Sequence, residues 1–401
     1  MSRQLERVVV VGASVAGVTA VETLRRHGFD GSIHLIGDEG HLPYDRPPLS
    51  KQVLSGAWDA ERVTLRDEAA LGLLQADVRL ACRATSIDVT DSCVQLDDGN
   101  KVPYDGLIIA TGVTPRRLSV GHELAGVHVL RTIDDAVALR DELHSGRRLV
   151  IVGGGFMGCE VAAVAKRRGL EVCIVDALPV PLFRQFGREI GRRIALLHEE
   201  HGVTLQCGVG VRRLIGDTAV TGVQLATGTV LPADLVLVAI GSVPATDWLR
   251  GSGLKIDDGV LCDATCRAAP GVYAAGDVAR WWHEITGSYV RVEHRLNATE
   301  QAINAAANLL GAEETFKPIP YFWTDQYDAR IQAYGFFDAD CQVTVTQGDF
   351  AEGRFLAHFT RSGVVTGVLG WNMPRETRAE RDLVWQMSPA LSKDGNSAPV
   401  P

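Results

Sequence analysis

The sequence lacks three features, and each absence excludes a class of protein. Its eight cysteines include no Cys-x-x-Cys pair and no metal-ligand spacing, so we expect buried thiols and no metal site. Its longest apolar runs are only as long as a β-strand, which argues against a membrane-spanning segment. It also lacks excess positive charge: the formal net charge is −9, whereas proteins that bind nucleic acids or anionic membranes usually present a basic face.

The composition is typical of a water-soluble globular protein. The chain has 401 residues, of which 46% are hydrophobic and 22% are charged, and this length predicts two or three packed domains. From Met1 the chain enters a strand without a signal-peptide pattern. We therefore expect a cytoplasmic protein.

A glycine-rich turn follows the first strand. In "VVVVGASVAG", which begins at Val8, Gly12 permits a tight turn and Gly17 permits close packing of a helix. The small residue Ser14, where glycine is usual, lets a pyrophosphate approach the backbone at the helix N-terminus. The next strand ends just before Asp38, whose carboxylate is our candidate for binding ribose hydroxyls.

A second turn of the same kind begins at Leu149, in "LVIVGGGFMG". Gly153, Gly155 and Gly158 have the Gly-x-Gly-x-x-Gly spacing, and the following strand ends at Asp176. A carboxylate there pairs with the 2'-hydroxyl of the adenine ribose and repels a 2'-phosphate. The second site is therefore predicted to prefer NADH over NADPH.

The resemblance between the two halves extends beyond the turns. "DDGNKVPYDGLIIATG" (97–112) and "ATGTVLPADLVLVAIG" (226–241) share an order of turn, short strand, acidic residue, buried strand and glycine, which indicates an internal duplication. A further strand in "GVYAAGDVA" (271–279) is predicted to complete the first sheet, so the second module is an insertion. Two dinucleotides without a separate substrate domain suggest that one cofactor reacts with the other, a flavin with a nicotinamide.

These patterns predict an α/β fold with two Rossmann-like dinucleotide-binding domains and a C-terminal α/β domain. We assign 1–113 and 242–317 to an FAD-binding domain, and 114–241 to an NAD-binding domain inserted in it. From 318 to 401 we expect a domain with an antiparallel sheet, because short alternating strands follow Pro320, and a flexible tail rich in Ser, Pro, Gly and Asn.

Five short segments carry a resemblance to a known family. With "ATG" (110–112) and "AAGD" (274–277), the chain resembles the pyridine nucleotide-disulfide oxidoreductase superfamily, whose fold is that of glutathione reductase. "LPYDRPPLSK" (42–51), "RVEHRLNATEQ" (291–301) and "YFWTDQYDARIQAYG" (321–335) are similar to its FAD-dependent NADH:ferredoxin reductases, which include the rubredoxin and putidaredoxin reductases.

The resemblance implies an activity and a partner. A hydride would pass from NADH to FAD, and single electrons would then pass to a ferredoxin-type iron-sulfur protein that serves an oxygenase. Disulfide reductases of the superfamily carry a cysteine pair in the stretch 43–51, where this chain has none, so a thiol relay is not expected. The alternatives are an NADH oxidase or other small-acceptor reductase, or a redox-sensing flavoprotein. We expect a monomer or weak dimer.

The resemblance also implies which residues touch each cofactor. The FAD contacts are Gly12, Ser14, Ala16, Gly17, Asp38, Arg46, Lys51, Ala84, Ala110, Thr111, Gly112, Arg131, Gly276, Asp277, Glu293, His294, Arg295 and Trp323. The NADH contacts are Gly153, Gly155, Phe156, Met157, Gly158, Glu160, Asp176, Arg184 and Gly241. Arg131 would bind the pyrophosphate, and Arg295, where many relatives carry tryptophan, would touch the flavin through its backbone.

Three residues are the catalytic candidates: Lys51, Glu160 and Trp323. Lys51 and Glu160 match a pair that in the family lies beside flavin N5, where the lysine stabilises the charge of reduced flavin and the carboxylate holds the ammonium. Trp323 matches a tryptophan at the flavin edge, or else anchors a domain interface. Phe156 is either the ring that the nicotinamide displaces or a core aromatic.

An acidic ferredoxin would need a local basic surface on this acidic protein. Our candidates are Arg330, Arg375, Arg378 and Arg381, which alternatively form ordinary surface ion pairs.

Overall fold

The computed structural model describes residues 5–386, so the predicted flexible tail from Ser392 lies outside the described residues. Elements are numbered along the chain. The first stretch contains helices α1 (Val15–Arg26) and α2 (Glu68–Leu73), a π-helix (Leu49–Val53) and a 3-10 turn (Ala60–Val63). Its strands are β1 (Arg7–Val11), β2 (Ser32–Ile36), β3 (Asp77–Arg79), β4 (Ala84–Asp88), β5 (Cys93–Leu96), β6 (Lys101–Pro103), β7 (Gly106–Ile109) and β8 (Val113–Pro115).

The middle stretch repeats the pattern of strand, turn and helix. Its helices are α3 (Ile133–Glu142), α4 (Phe156–Arg167) and α5 (Phe183–Glu200). Its strands are β9 (Val127–His128), β10 (Arg148–Val152), β11 (Glu171–Asp176), β12 (Thr204–Cys207), β13 (Val211–Gly216), β14 (Val220–Leu225), β15 (Val230–Pro232) and β16 (Leu235–Val238).

The chain then returns to the first sheet before it enters the C-terminal domain. The returning stretch contains α6 (Arg295–Leu309), a 3-10 turn (Asp247–Leu249) and strands β17 (Ser242–Pro244), β18 (Val260–Cys262), β19 (Arg267–Ala269), β20 (Val272–Ala274), β21 (Ala279–His283) and β22 (Ser288–Val290). The last stretch contains β23 (Tyr321–Gln326), β24 (Ala329–Gly335), β25 (Gln342–Asp349), β26 (Arg354–Arg361), β27 (Val364–Trp371), helix α7 (Pro374–Ala379) and a 3-10 turn (Arg381–Gln386).

Two separate sheets with parallel cores organise the nucleotide-binding part. The first has the strand order β19-β20-β7-β1-β2-β3, and the second has the order β12-β11-β10-β16-β9. The central strands β1 and β10 are almost completely buried, because helices or loops cover both faces, and this explains their continuous apolar sequences. Strand β20 pairs with β7 in parallel, so the predicted return to the first sheet is confirmed. The exact domain boundaries stay a prediction.

The C-terminal domain is built on a five-stranded antiparallel sheet in the order β23-β24-β27-β26-β25, which confirms the predicted strand direction. One face of β23 buries Phe322, Thr324 and Gln326, because alternate residues of a strand point to the same side. That face packs against α4 and α5, with Phe322, Phe186 and Cys159 in one apolar cluster. The C-terminal sheet therefore reaches the turn that begins α4.

Among residues 5–386, none of the helices combines the length and apolar character needed to cross a bilayer.

Candidate functional site

One cavity of about 300 Å³ lies where the N-termini of α1, α4 and α6 meet the loops after β7 and β20. Its lining is Ser14, Val15, Ala16, Asp45, Arg46, Pro47, Leu49, Ser50, Ala110, Gly112, Leu130, Arg131, Phe156, Met157, Glu160, Gly276, Asp277, Glu293, Arg295 and Ala298. Most of these residues were predicted from the sequence to touch a cofactor. The cavity is contacted by the first residues of both α1 and α4, so the two nucleotide turns converge on it.

The first turn has no room for side chains at its two glycines. Gly12 has a φ of +114°, and a Cβ there would lie 2.1 Å from the carbonyl oxygen of Ala110. A Cβ on Gly17 would lie 1.8 Å from the carbonyl oxygen of Gly12. Ser14 precedes α1 without a capping hydrogen bond from its side chain among the described residues, so N–H groups of the first turn remain available to an anion. This turn fits the pyrophosphate of a dinucleotide.

Two guanidinium groups lie close together on the wall of the cavity. Arg46 donates from Nη1 to the carbonyl oxygen of Arg131 at 2.8 Å, and Arg131 Nη2 lies 3.3 Å from Asp277 Oδ2. Burial, together with the charge of Arg46, lowers the pKa of Arg131, and burial raises the pKa of Asp277 against the opposing effect of Arg131. Within residues 5–386, the buried Nε of Arg46 has no hydrogen-bond partner. A phosphate anion would satisfy this nitrogen and relieve the repulsion between the two cations.

Two adjacent acidic residues follow β2, and they have different surroundings. Asp38 is exposed, and its closest ion-pair contact is 3.7 Å to Arg83, so its role toward a ribose stays a prediction. Glu39, which the sequence reasoning missed, accepts from Arg46 at 2.6 Å and from the hydroxyl of Tyr44 at 2.5 Å. Its position next to Asp38 was the only signal for it.

Glu160, which lines the cavity, forms an ion pair with Lys51, with 2.7 Å between Lys51 Nζ and Glu160 Oε2. Lys51 itself is not among the described residues that line the cavity. Both side chains are largely buried, at 13% and 7% exposure. Ser50 Oγ donates to Glu160 Oε2 at 2.5 Å, Thr324 Oγ1 donates to Glu160 Oε1 at 2.7 Å, and Lys51 Nζ also donates to the carbonyl oxygen of Pro47 at 3.2 Å. The sequence reasoning did not find Ser50 or Thr324, although each neighbours a residue that it named.

Phe156 belongs both to the cavity wall and to an aromatic cluster. Its ring centroid lies 5.0 Å from that of Phe322 and 5.8 Å from that of Phe186. Trp323 lies on the opposite face of β23, where it stacks with Tyr321 at 6.0 Å, and it is not among the described residues that line this cavity. Its position at a flavin edge stays a prediction.

The start of α6 and the two residues before it supply three further predicted residues. His294 is half-buried against Phe322, with 4.8 Å between ring centroids, and desolvation lowers the pKa of His294 to about 4. Arg295 lines the cavity, but its guanidinium donates to Asp45 at 3.0 Å and to Thr299 at 2.8 Å. The guanidinium is therefore held by protein groups, which is compatible with a flavin contact through the backbone.

Glu293 also lines the cavity, where it is held by a hydroxyl and a guanidinium. Its Oε1 accepts from Ser242 at 2.7 Å and from Arg291 at 2.6 Å.

The second turn is as tight as the first. Gly153 has a φ of +112°, and a Cβ there would lie 2.2 Å from the carbonyl oxygen of Ala239, whereas a Cβ on Gly155 meets nothing within 4 Å. A Cβ on Gly158 would lie 2.1 Å from the carbonyl oxygen of Gly153. Asp176 accepts from the backbone N–H of Gly154 at 2.6 Å and from that of Leu178 at 2.8 Å, so its carboxylate is fixed at the turn. This turn also fits a dinucleotide.

The other predicted residues lie around these two turns. Gly276 lines the cavity with Asp277, while Ala84 begins β4, and Arg184 is exposed in α5. Thr111 Oγ1 donates to the carbonyl oxygen of Ala245, and Gly241 follows β16 with a φ of +94°. Their contacts with cofactors stay predictions. No group of three or more His, Cys, Asp or Glu side chains within 5–386 is arranged to hold a metal ion.

Comparison with known families and proteins agrees with this architecture. The profile of the family "Pyridine nucleotide-disulphide oxidoreductase" matches residues 6–305, and the profile "Reductase C-terminal" matches 321–394. The chain is 38% identical to the anthranilate 1,2-dioxygenase system ferredoxin--NAD(+) reductase component of Burkholderia cepacia, covering 94% of this chain and 93% of that protein. It is 35% identical to rhodocoxin reductase of Rhodococcus erythropolis, covering 94% and 89%.

A solved structure is also similar. The covalent putidaredoxin reductase-putidaredoxin complex contains a chain that matches with a TM-score of 0.91 and 33% identity, covering 94% of this chain and 93% of that one. The expected fold class is therefore confirmed.

Proposed function

The chain belongs to the pyridine nucleotide-disulphide oxidoreductase family, and we propose from this premise that it is an FAD-dependent NADH:ferredoxin reductase of an oxygenase system. It would take a hydride from NADH and deliver single electrons to a ferredoxin-type iron-sulfur protein. One observation carries the proposal: helices α1 and α4, each beginning at a dinucleotide turn, reach the same cavity through Ser14 and Phe156. Two cofactors bound at these turns would meet there.

Different residues at this cavity would bind FAD, stabilise its charge and exclude water. Bound FAD supplies the chemistry that accepts a hydride and releases single electrons. Arg46 and Arg131 would bind the pyrophosphate, and the N–H groups at the start of α1 would assist them. Lys51, which is held by Glu160 and by the carbonyl oxygen of Pro47, would stabilise the negative charge of reduced flavin. Phe156 closes the wall and excludes water.

Electrons are proposed to leave without a thiol relay. The stretch 43–51 contains no cysteine, and the eight cysteines in the described part of the chain are all free. Cys159 and Cys266 are buried, and burial raises the pKa of both thiols, to about 12 for Cys266, so neither forms a reactive thiolate near neutral pH. Free thiols also fit a reducing compartment, and we propose a cytoplasmic protein that is a monomer or weak dimer.

The proposed electron donor is NADH. A 2'-phosphate next to Asp176 would meet a fixed negative charge, because both oxygens of that carboxylate are already tied to backbone N–H groups and cannot turn away. Arg184, an exposed cation eight residues after Asp176, would weaken the preference for NADH over NADPH. The ratio of kcat/KM for NADH and NADPH measures the preference.

The proposed docking surface for the acidic partner is the arginine cluster of the C-terminal domain. Arg375 and Arg378 are exposed on α7, and Arg330 is exposed on β24. Arg381 is also exposed and lies 3.2 Å from Asp382. Because the whole chain carries a net charge of −9, such a local cluster would steer encounter with an acidic ferredoxin.

The proposal is tested by optical measurements on the purified protein. We expect a flavin spectrum that NADH bleaches without oxygen and that an added ferredoxin restores, with cytochrome c reduction through ferredoxin falling as salt increases and direct ferricyanide reduction changing little. Reoxidation by oxygen as fast as by ferredoxin would favour the oxidase alternative. Slow turnover with every acceptor would favour a redox-sensing protein, and a colourless folded protein would refute the proposal.

A further inference from the structure

A buried chain of hydrogen bonds leads from Glu160 away from the cavity. Thr324 Oγ1 donates to Glu160 Oε1 at 2.7 Å, and Gln326 Nε2 donates to Thr324 Oγ1 at 3.3 Å. Gln326 Oε1 lies 3.0 Å from His198 Nε2, and the hydroxyl of Tyr327 lies 3.2 Å from His198 Nδ1. The side chains of Thr324, Gln326 and His198 are completely buried. The chain thus connects the Lys51–Glu160 pair to a half-buried tyrosine of the C-terminal domain.

The donor and acceptor groups of these side chains fix one direction for the whole series of hydrogen bonds. An ionised carboxylate only accepts hydrogen bonds, so the hydroxyl of Thr324 uses its proton for Glu160 and its oxygen for the amide of Gln326. The amide oxygen of Gln326 then accepts from His198 Nε2, which leaves Nδ1 to accept from Tyr327. Burial lowers the pKa of His198 to about 4, so the imidazole is neutral and has one tautomer. Every donor therefore points toward Glu160.

The members of the chain come from parts of the molecule that are far apart in sequence. Ser50 and Lys51 lie in the π-helix, Glu160 lies in α4, His198 lies in α5, and Thr324 lies in β23. The inward face of β23 presents Thr324 and Gln326 two residues apart. The C-terminal domain therefore contributes a hydroxyl to the same carboxylate that holds Lys51.

We propose that Thr324, Gln326 and His198 are positioning residues for Lys51: they fix the Glu160 carboxylate, which in turn fixes the ammonium at the flavin. The inference rests on the proposed function. Without the Thr324 hydroxyl, Glu160 Oε1 would lose its donor and the carboxylate could rotate about its terminal torsion, which is broad. The Lys51 ammonium would then spend less time at the place where reduced flavin needs a positive charge.

The first test compares Thr324→Val, Thr324→Ser and wild type in the holoenzyme by anaerobic stopped flow and by redox titration of the flavin. Thr324→Val should lower the limiting rate of flavin reduction about tenfold, leave the Kd for NADH within about twofold, and make the flavin midpoint potential more negative. Thr324→Ser, which keeps the hydroxyl, should restore both quantities. The matched control is Thr366→Val, a buried threonine of the same domain whose hydroxyl donates to the carbonyl oxygen of Phe359, and it should behave as wild type.

Two outcomes would overturn the inference. One is a Thr324→Val enzyme with the rate and potential of wild type, and the other is a Thr324→Ser enzyme as impaired as Thr324→Val. Both differ from failure of the proposed function, in which NADH would not reduce the wild-type flavin at all.

A second measurement does not depend on whether Thr324→Val folds. Nitrogen-15 NMR of the histidine rings in the wild-type holoenzyme should show His198 as a neutral imidazole protonated at Nε2 between pH 7 and pH 5. Tyr327→Phe, which removes the donor to Nδ1, should shift the Nδ1 signal of His198. Apart from His201, whose ring stacks on Tyr327, the other histidines should be unchanged. A His198 protonated at Nδ1, or charged in this range, would refute the direction of the chain.

Discussion

At Glu160, donors from two distant parts of the chain, Ser50 and Lys51 in the π-helix and Thr324 in β23, meet on one carboxylate that is 7% exposed. Such a charge is tolerated because Lys51 compensates it and hydroxyl groups of Ser50 and Thr324 solvate it in place of water. The same contacts serve the proposed chemistry, since they hold the Lys51 ammonium against a carboxylate of the cavity wall. The stability of this buried carboxylate and the proposed reduction of the flavin therefore depend on the same contacts.

We predict that Lys51→Ala slows flavin reduction by NADH about 100-fold, because a fixed positive charge at the reacting group is lost. FAD should remain bound, since Arg46 and Arg131, the proposed pyrophosphate ligands, are unchanged. Stopped-flow absorbance measures the rate, and Lys255→Ala, at an exposed lysine, is the control. An unchanged rate would remove Lys51 from the mechanism.

Lys51→Ala should also destabilise the protein, because it leaves the buried carboxylate of Glu160 uncompensated. Adding Glu160→Gln in the same chain should recover the urea midpoint without recovering the rate. If the rate recovered as well, the loss in Lys51→Ala would reflect stability and not charge.

The glycines in the turns before α1 and α4 differ in how much room the protein leaves for a side chain. In both, the first and last glycines are required by the protein itself, since a Cβ on Gly12 or Gly153 would overlap a carbonyl oxygen of the neighbouring strand connection, and one on Gly17 or Gly158 would overlap a carbonyl oxygen of the turn. Gly155 differs, because a Cβ there meets nothing within 4 Å and its φ is −77°. The protein alone therefore does not need a glycine at this position, whereas a closely approaching pyrophosphate would.

This difference predicts that Gly155→Ala raises the KM for NADH about tenfold, equivalent to 1.4 kcal/mol of binding, while folding and FAD content stay as in wild type. Steady-state kinetics and the flavin spectrum measure the two effects. Gly72→Ala is the matched control, since a Cβ at this glycine in α2 also meets nothing within 4 Å, and its KM should be unchanged. Equal KM values for Gly155→Ala and wild type would place the pyrophosphate elsewhere.

At the scale of the whole molecule, the domains meet through buried polar side chains as well as apolar ones. His198 of α5 contacts Gln326 of β23, and the half-buried His294, which directly precedes α6, packs against Phe322. Burial lowers the pKa of each to about 4 from an ordinary value of 6.5. Each ring is therefore neutral in the folded protein at a pH where the unfolded chain would already bind a proton.

We predict that the stability of the protein falls as the pH decreases from 6.5 to about 4. In this range the two histidines bind protons in the unfolded state, whereas in the folded state they remain neutral. Each histidine accounts for at most about 3 kcal/mol by this reasoning. Urea midpoints with excess FAD measure the trend, and His294→Asn should make it shallower. His144→Asn, at an exposed histidine, should keep the wild-type slope, and a midpoint independent of pH in this range would contradict the prediction.

Sequence reasoning succeeded where a structural requirement is local. The valines of β1 and the positions of Gly12 and Gly153 indicated buried strands and tight turns, and the topology has them. It also named most of the residues that line the cavity, although their contacts with cofactors stay predictions. It missed Glu39 and Thr324, whose partners depend on how loops and domains pack.

The sequence by itself determined the two nucleotide turns, the insertion of one module in the other and the absence of a cysteine pair at 43–51, because glycine sterics, strand burial and residue identity are properties of short segments. Only the tertiary structure decided that Thr324 and not Trp323 faces Glu160, and that Arg46 lies against Arg131. These contacts join residues up to 164 positions apart. They form only when β23 packs against α4 and the loops close over the cavity, and no local pattern specifies that packing.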